Sequence, residues 1–178
     1  RRGMKCIIDV VYNHTSPDAT LVTELPEYFY TRADGTRGNK VGDWTDVVDL
    51  DYENRALWQY QIETLCYWAQ FVDGFRCDVA STVPVEFWRE ARRAVEAVRP
   101  GAVWLGESVH LAHIQAFRSL GHYAATDTEL FTAFDILYPY DLWPLYEGVT
   151  EGRLPLSRWF DAVDYQEVSF DSHYNKLR

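Results

Sequence analysis

Gly74-Phe75-Arg76-Cys77-Asp78 alternates in polarity, and its parity decides how the rest of the chain is read. Side chains two apart on a strand share a face. Gly74, Arg76 and Asp78 therefore point one way, and Phe75, Cys77 and Val79 the other. The apolar set belongs against helices. That leaves an arginine and an aspartate on the opposite face, near the carboxyl end of the strand. Residues 74–80 form one of four short apolar runs, the others being 6–11, 102–106 and 130–137. Each is too short for a helix, is rich in β-branched or aromatic residues, and ends in polar ones.

Helical patterns separate the runs. Trp58, Ile62, Leu65, Ala69 and Val72 form a single apolar stripe after a cap at Asn54. Phe87, Ala91, Ala94, Val95 and Val98 form a second, with Pro84 suited to the first turn and Pro100-Gly101 ending it. Strand, helix, strand, helix, strand, helix, strand is βα repetition, which means a parallel sheet with helices on its faces. A doubly wound open sheet and a (β/α)8 barrel both satisfy this order. No G-x-G-x-x-G or phosphate-binding loop follows a strand, so the barrel is preferred. One connection breaks the rhythm. Residues 15–50 separate the first strand from its helix, where 2–6 residues are usual. The stretch contains a hairpin signal over 28–33 turning at Asp34-Gly35, then Gly38 and Gly42, and predicts a small inserted subdomain at the carboxyl end of the strand.

The same parity places Asp9 at the end of an inward series on the first strand and Glu107 at the end of the third, after Val103 and Leu105. One acidic residue at a strand end is ordinarily a helix cap. Asp9, Arg76, Asp78 and Glu107 together are better explained by a site. Neighbouring strands lie about 4.7–4.9 Å apart, so carboxylates at adjacent tips can sit about 5–5.5 Å apart, the spacing of a retaining glycosidase, whereas an inverting pair needs about 6.5–9.5 Å. Arg76, one pleat below Asp78, is expected to lower the pKa of that carboxylate, as a nucleophile requires. Glu107 follows Val103-Trp104-Leu105-Gly106 with no basic neighbour in sequence. Its pKa is expected to be raised, as a general acid requires. Phe134 and Asp135 stand on the fourth run without a role that the sequence decides.

Composition narrows the partners. A formal charge of −10 argues against nucleic acid and anionic membrane surfaces, both of which need basic patches. No apolar run approaches the roughly 20 residues of a membrane span. Aromatic residues reach 16%, which suits a sugar-stacking cleft but equally a large core. Cys6, Cys66 and Cys77 show no metal-ligand spacing and are expected to be free buried thiols, which favours a reducing, cytoplasmic compartment.

At this point the residues resemble a known family. Asp9-Val10-Val11-Tyr12-Asn13-His14, Gly74-Phe75-Arg76-Cys77-Asp78 and Trp104-Leu105-Gly106-Glu107 resemble, in order and rough spacing, the first three signatures of the α-amylase family, glycoside hydrolase family 13. Val47-Val48-Asp49-Leu50-Asp51 is similar to a looser motif of its inserted domain. The resemblance covers nearly the whole chain. It implies that Asp78 is the nucleophile, Glu107 the acid/base and Arg76 the hydrogen-bond partner of the nucleophile. It further implies that His14 binds sugar hydroxyls, that Asp9 supports the site, and that Asn13 and Asp49 hold a structural calcium. Tyr12 is read either as a sugar-stacking ring or as packing. Ser81 and Thr82 stand where the family often has a Lys-His pair, and no His-Asp dipeptide supplies the family's third carboxylate, since His173 is followed by Tyr174.

The chain thus reads as an α/β fragment of a (β/α)8 TIM barrel, about strands three to six. It is expected to be a partial catalytic barrel over 1–178 carrying an insertion at 15–50. Hydrolysis of α-1,4-glucans such as starch or maltodextrin is the leading reading. Glucan transfer or isomerisation by the same glycosyl-enzyme is its rival, and a non-catalytic sugar-binding or transporter-associated relative the alternative of another class. A half barrel leaves two sheet edges unpaired. The 178-residue chain alone is therefore expected to unfold without cooperativity and to leave starch intact; a sharp thermal transition together with reducing-sugar release would contradict this.

Overall fold

The computed structural model describes residues 3–40 and 44–169. In chain order, β1 (Ile7–Val11) is followed by β2 (His14–Thr15), α1 (Thr20–Glu24), β3 (Val48–Asp49) and α2 (Arg55–Trp68). Then come β4 (Gly74–Asp78), α3 (Val85–Val98), β5 (Val103–Gly106), α4 (Leu111–Ser119) and α5 (Asp127–Leu130). β6 (Ile136–Leu137), α6 (Trp143–Thr150) and α7 (Ser157–Ser169) complete the described chain. The main sheet has the order β1-β4-β5-β6, every pairing parallel, and β2 and β3 form a separate antiparallel pair. Sequential strands separated by helices lie side by side, as βα repetition requires.

The parity reading holds. Phe75 and Cys77 are fully buried, with Trp88, Phe87, Leu57, Leu65 and Trp104 in the same core beneath α2 and α3. Full burial of a side chain such as Phe75 contributes about 1.5–3 kcal/mol. The opposite face is open: Ile7, Val11 and Val103 are exposed there. α2 begins as read, with the Asn54 side chain accepting the Ala56 N–H at 3.0 Å. Pro84 is the residue just before α3 rather than within its first turn, and Gly101 closes the turn after it at φ +73°.

Three expectations change. The run 130–137 is not one strand. Leu130 ends α5 and only Ile136–Leu137 pairs with β5. The cause is a capping box, in which the Thr126 hydroxyl accepts the Glu129 N–H and the Glu129 carboxylate accepts the Thr126 N–H at 2.7 Å. Within the insertion, the turn at Asp34-Gly35 forms: Arg32 N–H reaches Thr36 O at 2.8 Å and Thr31 bridges Arg37. Its first arm is not a continuous strand, because Pro26–Tyr28 is a 3-10 turn and Tyr28 and Tyr30 bond to Asp51 and Asp49 instead. Gly42 lies outside the described residues. Of the cysteines only Cys77 is buried; Cys66 is half-buried and Cys6, just ahead of the edge strand β1, is exposed.

The two ends of the sheet differ in chemistry. At the amino ends of the strands, Asp73 accepts the Cys6 N–H at 2.9 Å and pairs with Lys5 and Arg99, a structural cluster that ties β1 to β4. Gly74, next in sequence, sits where a Cβ would collide with the Val103 backbone of β5. Gly74→Ala in the full-length protein is therefore expected to cost about 1–3 kcal/mol through overpacking, measured by urea unfolding; unchanged stability would show that the β4–β5 spacing can relax there.

Candidate active site

Asp9, Asp78 and Glu107 converge on one guanidinium. Arg76 Nη1 donates to Asp9 Oδ1 at 3.0 Å and to Asp78 Oδ1 at 2.6 Å, while Nη2 lies 2.8 Å from Glu107 Oε2. The register explains the convergence. Asp9 is opposite Arg76, and Cys77 is opposite Gly106, so Asp78 and Glu107 follow on adjacent strands. The planar fork of arginine has the donors to serve three carboxylates at once. The guanidinium in turn lies 5.9 Å from the Tyr138 ring.

Glu107 is held from two more sides. Its Oε2 accepts the Val79 N–H at 3.1 Å, and its Oε1 accepts the Tyr140 hydroxyl at 2.8 Å. Val79 is the one non-glycine residue with positive φ (42°) among the described residues. A β-branched side chain there is strained by about 1–3 kcal/mol. The strain aims the N–H at the carboxylate, and the next residue continues the link, with Ala80 N–H donating to Glu107 O at 2.8 Å.

The expected division of pKa values is reversed. Burial pushes the Asp78 carboxyl up; the hydrogen bond and charge of Glu107 add to this and outweigh Arg76. Burial also acts upward on Glu107, but the Val79 N–H, the Tyr140 hydroxyl, Asp78 and Arg76 together bring it below the usual glutamate range. The reading from sequence neighbours counted Arg76 for Asp78 alone. The fold gives the same arginine to both carboxylates and adds two donors to Glu107 that lie 28 and 33 residues away. Carboxyls coupled in this way titrate as a pair, with Asp78 shifted up and Glu107 down.

Other candidates fall elsewhere. Tyr12 is not in the cleft: its ring stacks on Trp88 (6.2 Å, 4°) and its hydroxyl donates to Gln61 O, so packing is its role. Being next to Val11 in an alternating strand, it turns to the helix side. His14 lies on the insertion side, with Nδ1 3.2 Å from Asn13 Nδ2 and its ring edge-on to Trp44 at 5.5 Å. Phe134 is buried between Trp88 and Trp104, and Asp135 pairs with Arg92 at 2.6 Å and accepts the Trp104 N–H; both are structural.

Asn13 and Asp49 by themselves supply only part of the six to eight oxygens a calcium ion takes. Asn13 Oδ1 already accepts the Thr82 hydroxyl at 2.7 Å, and Asp49 Oδ2 accepts the Lys40 N–H at 2.7 Å. Asp49 Oδ1 is buried without a hydrogen-bond partner. Burial raises the Asp49 pKa against the opposing Lys40 contacts. No cluster of three acidic, histidine or cysteine ligands occurs among the described residues.

Sequence reasoning missed Val79, Tyr138, Tyr140 and Asp127. Only Tyr138-Pro139-Tyr140, an aromatic pair just past the fourth strand, left a readable signal.

Parallel strands with alternating helices and an acid cluster at the carboxyl ends define part of a (β/α)8 barrel enzyme. No family model matches the chain. An α-amylase from Lactobacillus plantarum is 51% identical over 99% of this chain and 42% of its own, with a TM-score of 0.92. A maltogenic α-amylase from Thermotoga neapolitana is 34% identical over 98% of this chain and 37% of its own, with a TM-score of 0.79. The α-1,4-glucan:maltose-1-phosphate maltosyltransferase of Myxococcus xanthus is 28% identical over 89% of this chain and 24% of its own length. The chain belongs to the α-amylase family and forms part of its (β/α)8 barrel. It spans less than half the length of each of these relatives.

Asp127 supplies a pH test. Burial, with the charge of Asp141 adding and the Ser108 hydrogen bond opposing, pushes its carboxyl up to about 6. A folded pKa above the unfolded value of about 3.9 means that stability is greatest below that value and is lost as pH rises through 6. Asp127→Asn is expected to remove a decline of about 1–3 kcal/mol between pH 4 and 7, read from unfolding midpoints across that range; an unchanged pH slope would contradict it.

Proposed function

We propose that the protein is a retaining glycosidase acting on α-1,4-linked glucans. Asp78 is its nucleophile, Glu107 its acid/base and Arg76 the cation that orders them. The observation that carries this is the bonding of both carboxylates, on adjacent strand tips, to the two Nη atoms of one arginine. That proximity supports the short separation of a retaining pair over the wider one of an inverting pair. Asp9, on β1, helps to hold the guanidinium. His14, at the mouth beside the insertion, is assigned to sugar hydroxyls.

The reaction needs Asp78 ionised and Glu107 protonated. A sugar ring inserted above the pair displaces their mutual hydrogen bond, and a proton passes to Glu107, which then gives it to the departing glycosidic oxygen. Asp78 Oδ attacks the anomeric carbon as that bond breaks, forming a glycosyl ester. Water, deprotonated by the Glu107 carboxylate, then opens the ester and restores the original configuration. The names of the relatives, an amylase, a maltogenic amylase and a maltosyltransferase, support an α-glucan as substrate. The maltosyltransferase favours a second reading in which a sugar hydroxyl replaces water. The joint bonding of Asp78, Glu107 and Arg76 weighs against a non-catalytic sugar-binding role.

Anomeric NMR of maltooligosaccharide digests by the full-length protein is expected to show products that first appear as the α-anomer. Glu107→Gln is expected to lose about 10²–10⁴-fold in turnover, and Asp78→Asn at least as much. Initial β-anomer or wild-type rates in either variant would overturn the assignment.

A further inference from the structure

The segment after β6 is built to reach Glu107. Tyr140 N–H donates to Tyr138 O at 3.0 Å around Pro139, whose φ −84° and ψ 57° make an inverse γ-turn. Both sides of the turn are tied to the β5–α4 connection. Ser108 Oγ donates to Tyr138 O at 2.9 Å, and the Asp141 carboxylate accepts the Leu111 N–H at 3.2 and 3.1 Å at the start of α4. The two tyrosine rings stack at 5.6 Å and 19°, one beside Arg76 and the other bonded to Glu107.

The oxygens of Glu107 are divided by this arrangement. Oε2 takes the Val79 N–H and Arg76 Nη2, while Oε1 takes the Tyr140 hydroxyl. Because Oε2 is occupied by two donors, Oε1 is the oxygen left to carry a transferable proton. A tyrosine hydroxyl donates to that oxygen when it is bare and accepts from it when it is protonated. Tyr140 keeps its own proton, because burial and the neighbouring Glu107 push its pKa up to about 12.

We propose that Tyr140 is a positioning residue that orients Glu107 Oε1 for proton transfer, held in place by the Tyr138-Pro139-Tyr140 turn. This rests on the reading of Glu107 as the acid/base. The charged and titratable groups around Glu107 are Asp78 and Arg76 from β4, Asp9 through Arg76 from β1, and Tyr138 and Tyr140 from the turn. His110, 5.4 Å from the Tyr140 ring, and Asp141 stand behind Tyr140.

The test is the pH profile of kcat/KM for maltotetraose hydrolysis by the full-length protein and its Tyr140→Phe variant. Loss of a donor to the charged carboxylate raises the Glu107 pKa, so the basic limb is expected to move to higher pH. Turnover at the optimum is expected to fall roughly tenfold or more, the effect of one hydrogen bond to a charged group, with KM nearly unchanged. Unmoved limbs, or a loss confined to KM, would overturn the proposal. Ser108→Ala, which loosens the turn without removing a hydrogen bond from the Glu107 carboxylate, is expected to shift the same limb in the same direction by less. It carries the test should Tyr140→Phe fail to fold, and an unmoved limb there counts against the proposal. Glu107→Gln separates the failures: wild-type rates in that variant defeat the acid/base reading itself, whereas an inactive Glu107→Gln beside an unmoved Tyr140→Phe limb defeats only the role of Tyr140.

Discussion

Three carboxylates from three neighbouring strands share one guanidinium, and the site depends on that arrangement. Asp9, Asp78 and Glu107 would repel one another at the tips of adjacent parallel strands without a cation between them. Arg76 lies one pleat below, where its fork reaches all three. Parallel register then becomes a chemical requirement. A slip of one residue in β4 would turn Arg76 and Asp78 into the apolar core and bring Phe75 and Cys77 into the cleft. The core packing of Phe75 against Trp104 therefore protects the site as well as the fold.

Around that interaction the protein accepts local strain and adds long-range ties. Val79 takes a left-handed conformation that a valine resists, and its N–H lands on Glu107. The γ-turn at Pro139 brings the Tyr140 hydroxyl to the other oxygen. These features gather at the carboxyl ends of the strands. The amino ends carry Asp73 with Lys5 and Arg99, which link backbone and charge across β1 and β4 and have no part in the cleft. Function at one end and stability at the other is the usual division of labour in a (β/α)8 barrel.

Much of this was legible in the chain. Alternation in Gly74-Phe75-Arg76-Cys77-Asp78 yields the facing of β4, and the stripes from Trp58 and Phe87 yield α2 and α3. Tyr12 shows the limit of a motif: it lies inside a recognisable signature, yet the pleat turns it onto Trp88. The run at 130–137 misled because its apolar residues serve a capped helical turn first and a strand second, and the Thr126…Glu129 capping pair was the overlooked signal. Asn13 and Asp49 sit near one another through the β2–β3 pair, but their oxygens are largely engaged by Thr82 and Lys40, which no spacing rule reveals.

Sequence alone determined which charged residues gather at the carboxyl ends of the strands. Period-two alternation assigns Arg76, Asp78, Asp9 and Glu107 to one face, and the βα order places them at the strand ends. Tertiary structure alone decided how Asp78 and Glu107 are shifted from their ordinary pKa values. A pKa answers to every donor and charge within a few ångströms, and for Glu107 those are Arg76, Asp78, the Val79 N–H and the Tyr140 hydroxyl, contributed by segments far apart in the chain. Sequence distance is blind to that shell, so only the fold shows Asp78 shifted up and Glu107 shifted down.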